Sequence, residues 1–66
     1  MVDTNALRAQ WVKKGLKQSD VAARIGMKQK TFSSRMKKRV FGSDEIEKLI
    51  SVLDISDPMS IFLLAQ

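Results

Sequence analysis

The sequence predicts an all-α domain of five helices, and three observations support this class. Apolar residues recur at helical spacing along most of the chain, and glycines or helix-capping residues separate the apolar segments. The chain has 66 residues and no Cys or His, so neither disulfides nor the usual zinc sites can cross-link it. A small domain without such cross-links needs compact helical packing or a partner subunit. We therefore expect residues 1–66 to form a single domain.

Helix 1 is predicted from an apolar pair that lies between a capping residue and a glycine. Asp3 or Thr4 can cap the free N–H groups at the start of the helix. Leu7 and Trp11 are four residues apart, share one face and are expected in the core. Gly15 is predicted to end the helix, because glycine accepts the left-handed conformation that commonly follows a helix.

Helices 2 and 3 are predicted to form a pair around a tight turn. Helix 2 covers residues 18–25, and Gly26 closes it because glycine tolerates a positive φ. Helix 3 covers residues 28–37, and Phe32 and Met36 define its buried side. A short helix, a tight turn and a second helix with a polar outer face predict a helix-turn-helix.

Helices 4 and 5 complete the domain after a loop at residues 38–43. Ser43 is predicted to cap helix 4, whose apolar residues fall at i, i+3, i+4 and i+7: Ile46, Leu49, Ile50 and Leu53. Asp57 and Pro58 suit the start of helix 5, because Asp caps helices and Pro fits the first helical position.

Helix 5 is apolar on two sides, which is more apolar surface than a small core needs. It is therefore either partly a dimer interface or buried within its own domain, and both interpretations are open at this point. Residues considered for a protein interface are Ile61, Phe62, Leu64 and, in the preceding loop, Val40.

Charge divides the chain into two parts. Residues 1–42 carry 11 basic and two acidic side chains, a net charge of +9, whereas residues 43–66 carry one basic and five acidic side chains, a net charge of −4. A molecule with this distribution attracts polyanions to its basic side and turns its acidic side away from them.

The outward side of helix 3 is the candidate functional surface. It carries cations, an amide and small hydroxyls, and it has no acidic residue. A polar, basic helix whose other side is fixed in a core fits the major groove of B-DNA. We expect Gln29, Lys30, Ser33 and Ser34 to contact bases. The residues expected to contact phosphates, which position a protein without specifying sequence, are Gln18, Lys28, Lys37, Lys38 and Arg39.

Other functional classes have little support in the sequence. A nucleophilic Ser needs an activating base, and the chain has no His, while its carboxylates cluster as caps and surface charge on helix 4. We therefore expect no enzyme, no metal, no cofactor and no small-molecule substrate. No apolar run approaches the roughly 20 residues that span a bilayer, and MVDTNALRAQ lacks the order of a signal peptide, so we expect no membrane association and a cytoplasmic protein.

Two segments of the chain, KGLKQSDVAARIGMKQKTFSSRM and FGSDEIEKLISVLDISDPMSIF, resemble a known family. The first contains the pattern G-L-x-Q-x-x-[VL]-A-x-x-[IL]-G, which is typical of the Cro and CI-type helix-turn-helix regulators, also called the XRE family. The resemblance covers nearly the whole chain, and the tail ISDPMSIF looks like small regulators of temperate phages of Gram-positive bacteria.

The resemblance implies a compact, five-helix, lambda-repressor-like domain that binds DNA through the helix at 28–37. It also implies a phosphate contact from Gln18 and a homodimer on a palindromic operator, in a transcriptional regulator of a phage lysis/lysogeny switch inside the bacterial host cell. The alternative is an antirepressor or modulator of repression that acts by forming a protein–protein complex with a partner phage repressor. The sequence leaves both open.

Overall fold

The structure is a computed structural model, and it describes residues 1–62 of the chain. Within that range the protein is all-helical, with no strand, and measures 28 × 22 × 19 Å along its principal axes. The predicted class and the number of helices are confirmed. The helices are α1 (Thr4–Val12), α2 (Gln18–Arg24), α3 (Gln29–Lys38), α4 (Ser43–Leu53) and α5 (Pro58–Phe62).

Helix α1 begins and ends through local hydrogen bonds. The Asp3 side chain accepts a hydrogen bond from the Ala6 N–H at 3.1 Å, so Asp3 rather than Thr4 is the cap. The helix ends at Val12, earlier than predicted, and a turn follows in which Gly15 has φ +74°. The Leu16 N–H donates to the Trp11 carbonyl at 2.9 Å, which returns Leu16 to the edge of the core.

A four-residue turn joins α2 to α3. Gly26 has φ +71°, and the Met27 N–H donates to the Ala22 carbonyl at 2.9 Å, a closure that glycine makes easy. The limits of both helices differ from prediction by one residue. Helix α2 ends at Arg24 instead of Ile25, and α3 covers Gln29–Lys38 instead of 28–37.

The core is centred on Phe32, which is fully buried on α3. Its ring lies 5.8 Å from the ring of Trp11 and 5.5 Å from that of Phe41, both at tilted angles that aromatic pairs favour. These two contacts fix α3 against α1 and against the loop that precedes α4. Other buried apolar residues complete the core: Val2, Leu7, Val21, Ala22, Ile25, Met36, Leu49, Leu53, Ile55, Ile61 and Phe62.

Helix α4 begins differently from the prediction. Gly42, not Ser43, is the N-cap residue, and Ser43 is the first residue of the helix. The Glu45 carboxylate accepts a hydrogen bond from the Gly42 N–H at 2.7 Å, so the third helical residue supplies the capping group. The same carboxylate lies 3.2 Å from Arg35, which connects the start of α4 to α3.

The N-terminal segment closes the domain between α3 and α5. The Val2 N–H donates to the Arg39 carbonyl at 3.0 Å, and the Asp3 N–H donates to the Ile61 carbonyl at 2.7 Å. Val2 is buried as a result, although nothing in its sequence context predicts this.

Helix α5 packs into its own domain along the part that the structure describes. Ile61 and Phe62 are each 3% exposed, so they belong to the core and offer little surface to a partner. Of the two interpretations that the sequence left open, burial is the one found for these residues. Val40 is 57% exposed, and Leu64 lies outside the described residues.

Candidate nucleic-acid interface

The outward side of α3 is an open polar surface. Gln29, Lys30, Ser33 and Ser34, the four residues expected to contact bases, are all exposed. Lys30 and Ser34 point away from the buried Phe32 and Met36, whereas Gln29 and Ser33 lie on the flank of the helix. The helix has ten residues and no acidic side chain, so a cationic surface extends along its whole length of about 15 Å.

A side-chain hydrogen bond links this surface to the start of α2. The Gln18 amide nitrogen donates to the Ser33 hydroxyl at 2.9 Å. Gln18 is the first residue of α2, and Ser33 lies 15 residues later in the middle of α3. The bond fixes the orientation of the Gln18 carboxamide and takes up one acceptor site of Ser33. Ser33 is therefore partly committed to an internal contact, whereas Ser34 is not.

An open groove runs along α3, from its outward side to the edge of buried Met36, and reaches α1. The residues that line it come from three helices and include three cations but no carboxylate: Arg8, Gln18, Lys30, Ser33, Ser34, Met36 and Lys37. Arg8 is exposed on α1 and was not among the residues predicted for the site. Only the packing of the helices brings it to the same groove as Lys30 and Lys37, and sequence spacing carries no information about that packing.

Of the five residues expected to contact phosphates, two line this groove and three lie at the ends of α3. Gln18 and Lys37 line it, and Lys28 is the N-cap residue that precedes α3. Lys38 is exposed in the last turn of α3, in place of the loop that the sequence predicted. Arg39 follows as the C-cap residue, with φ 60° in the left-handed region. Three cationic side chains therefore follow one another at the C-terminal end of α3, where the helix dipole favours positive charge.

Arg35 is the one cation of α3 with an acidic partner in the described part of the chain. Its guanidinium lies 3.2 Å from the Glu45 carboxylate, and the Arg35 side chain is 44% exposed. The Arg35 Nε atom is buried without a hydrogen-bond partner. Arg35 thus packs against α4, and the remaining cations of α3 supply the net charge of the outward surface.

Two alternative kinds of site find no support in residues 1–62. No group of three or more His, Cys, Asp or Glu side chains is placed to hold a metal ion there. None of the helices within those residues is long and apolar enough to cross a membrane.

Comparisons with known proteins identify no relative. No protein-family model matches the chain, and neither the curated proteins nor the solved structures include a match. A functional assignment therefore depends on the outward surface of α3, its charge and its link to α2.

Proposed function

We propose that this protein is a sequence-specific DNA-binding regulator that places α3 in the major groove of its operator. The observation that carries the proposal is the two-sided character of α3. Its buried side is fixed by Phe32 and Met36, and its outward side is exposed, polar and free of acidic residues. A helix with side chains is about 10–12 Å across, which matches a major groove about 12 Å wide.

In this proposal α2, the turn and α3 form a helix-turn-helix within a lambda-repressor-like domain. Supporting features are the positive φ of Gly26 and the buried Ala22, which allow the two helices to pack closely. Such units insert the second helix into the groove while the first crosses the backbone. Gln18 at the start of α2 is then placed to donate to a phosphate, and the bond to Ser33 holds its amide in position.

The outward side chains take different roles in the bound complex. The Gln29 amide can read adenine through a pair of hydrogen bonds, and Lys30 can donate to the N7 and O6 atoms of guanine. Ser34 contacts a base or allows close approach. Lys28, Lys37, Lys38 and Arg39 contact phosphates, which orient the protein on the duplex.

The biological setting is proposed from the resemblance to Cro and CI-type regulators. A small protein of this type acts in the bacterial cytoplasm on the operators of a temperate phage. Binding as a homodimer requires two half-sites about 34 Å apart, one turn of the double helix.

The experiment that tests the proposal selects DNA ligands for the purified protein from a random-sequence duplex library. We expect one recurrent sequence, bound at about 150 mM salt at least 10³-fold more tightly than random duplex DNA of the same length. Failure of any sequence to be enriched, or equal affinity for the selected and random duplexes, would contradict the proposal.

A second function, modulation of a partner repressor through protein–protein contact, is favoured by one observation. Ser33 is engaged with Gln18, which leaves one base-reading candidate fewer on α3, and the cations of α3 suit an acidic protein equally well. A modulator would bind DNA weakly alone but form a stable complex with a partner phage repressor. Size-exclusion chromatography with light scattering, with and without that repressor, distinguishes the two.

A further inference from the structure

We propose that α1 takes part in DNA binding through Arg8, which together with Gln18 forms a site for one backbone phosphate. This inference rests on the proposed DNA-binding function and extends it to a helix that the sequence assigned only to the core. The groove beside α3 is the starting observation, because Arg8 and Gln18 line it from two different helices.

Arg8 is available for an external anion. Its side chain is exposed on α1, next to the face that carries the buried Leu7 and Trp11. The one ion pair within residues 1–62 joins Arg35 to Glu45, so Arg8 has no carboxylate partner there. None of the residues that line the groove is acidic. An unpaired guanidinium in acid-free surroundings is suited to bind an anion.

Gln18 provides the second, oriented donor. Its amide nitrogen carries two hydrogens, and one of them is donated to the Ser33 hydroxyl at 2.9 Å. The second hydrogen remains for an anion, and its direction is fixed by the first bond. The nearest carboxylate along the chain, that of Asp20, accepts a hydrogen bond from the Lys17 N–H at 2.8 Å and does not line the groove.

The proposed occupant is a phosphodiester of the DNA backbone. Guanidinium groups bind phosphate oxygens through two parallel hydrogen bonds, and contacts to the phosphates of DNA commonly come from Arg and Gln side chains. The position also agrees with docking of α3 in the major groove, because the flanking helices then face the sugar-phosphate backbone.

The test compares Arg8→Ala with Arg24→Ala, a matched loss of one guanidinium from an exposed residue at the end of α2 that does not line the groove. The probe is a random-sequence DNA duplex of about 30 base pairs, long enough for two half-sites. Affinity is measured by fluorescence anisotropy over a range of salt concentrations, and thermal melting checks that both variants fold.

We expect Arg8→Ala to weaken binding about five- to tenfold and to reduce the slope of log K against log salt by about 0.9, the value for one phosphate contact. Arg24→Ala should change affinity less than about twofold through its general effect on net charge. Ethylation interference on the selected operator should identify a phosphate whose modification weakens the wild type but has no further effect on Arg8→Ala.

Equal effects of Arg8→Ala and Arg24→Ala on affinity and salt slope would overturn the inference while leaving the proposed function intact. Absence of DNA binding by the wild-type protein would overturn both. An Arg8→Ala variant that keeps full DNA affinity but no longer binds the partner repressor would assign the groove to an acidic protein surface.

Discussion

Helices α3 and α4 are built alike on their buried sides and differ on their exposed sides. They have ten and 11 residues, and each buries a pair of side chains four residues apart, Phe32 and Met36 in α3 and Leu49 and Leu53 in α4. Each ends at a residue other than glycine with a positive φ. On the outside α3 carries cations and no acid, whereas the first turn of α4 carries two acids.

This difference separates the part of the sequence that determines the fold from the part that determines function. The buried pairs hold both helices in the same core, so they say nothing about what either helix binds. The exposed residues contribute little to stability and are free to differ. Variants made in pairs, one on each helix, test whether binding belongs to α3 and whether stability is shared by both.

The largest expected effect is on stability and is common to both helices. Phe32→Ala should lower the free energy of unfolding by about 3–5 kcal/mol and Leu49→Ala by about 2–5 kcal/mol, because both side chains are fully buried. A domain of this size is stable by only a few kcal/mol, so either variant should be largely unfolded. Urea denaturation followed by circular dichroism measures both. A loss below about 1 kcal/mol would contradict the central position of Phe32.

The next largest effect is on DNA affinity and distinguishes α3 from α4. Lys30→Ala should weaken operator binding by about 1–3 kcal/mol and relax the base preference at one position, because it removes a donor to guanine. Lys48→Ala, an exposed lysine on α4, removes the same charge and should change affinity only slightly. Anisotropy titrations on the selected operator and on duplexes with single base changes measure both. Similar losses from the two variants would assign binding to overall charge instead of to α3.

A third pair of variants, Glu45→Ala and Ser33→Ala, tests the side-chain contacts that α4 and α3 make with neighbouring segments. Glu45→Ala removes the carboxylate that caps α4 at Gly42 and pairs with Arg35, and should lower the free energy of unfolding by about 1 kcal/mol without changing DNA affinity. Ser33→Ala removes the acceptor of the Gln18 amide and should weaken DNA binding by about 0.5–1.5 kcal/mol.

The Ser33→Ala effect should also be non-additive with Gln18→Ala, because both changes break the same hydrogen bond. Binding measurements on the double variant test this directly. Additive losses in a double-mutant cycle would show that Ser33 contacts the DNA independently of Gln18.

The smallest effect concerns the two residues with left-handed backbone. Arg39→Gly and Asp54→Gly should each raise the free energy of unfolding by up to about 1 kcal/mol, since glycine removes the steric cost of a positive φ. Only Arg39→Gly should weaken DNA binding. It should also reduce the slope of log K against log salt by about 0.9, the value for one phosphate contact. Chemical denaturation and salt titration measure the two properties separately. A loss of DNA affinity in Asp54→Gly would contradict the assignment of DNA binding to α3.

Periodicity predicted most of this structure because the core is largely helical. The spacing of Leu7 with Trp11 and of Phe32 with Met36 places these four residues correctly, and Gly26 marks the turn before α3. Val2 and Ile55 were missed, since they are buried in short segments outside the helices, where no periodic pattern exists.

The interface was less predictable than the core, because it depends on distances between helices. The outward direction of Lys30 and Ser34 follows from helical spacing alone. The bond between Gln18 and Ser33 and the approach of Arg8 to the groove depend on how α1, α2 and α3 cross, which no local pattern encodes. The cap at Gly42 could have been found from Glu45, which stands three residues later.

The measurement that tests the central claim most directly is a titration of the ¹⁵N-labelled protein with its selected operator, followed by amide chemical shifts. We predict that the largest shift changes occur in α3 and around Gln18 and Arg8, whereas amides of α4 change little. This pattern would assign the DNA contact to the outward side of α3. Changes concentrated in α4, or uniform small changes throughout the protein, would contradict it.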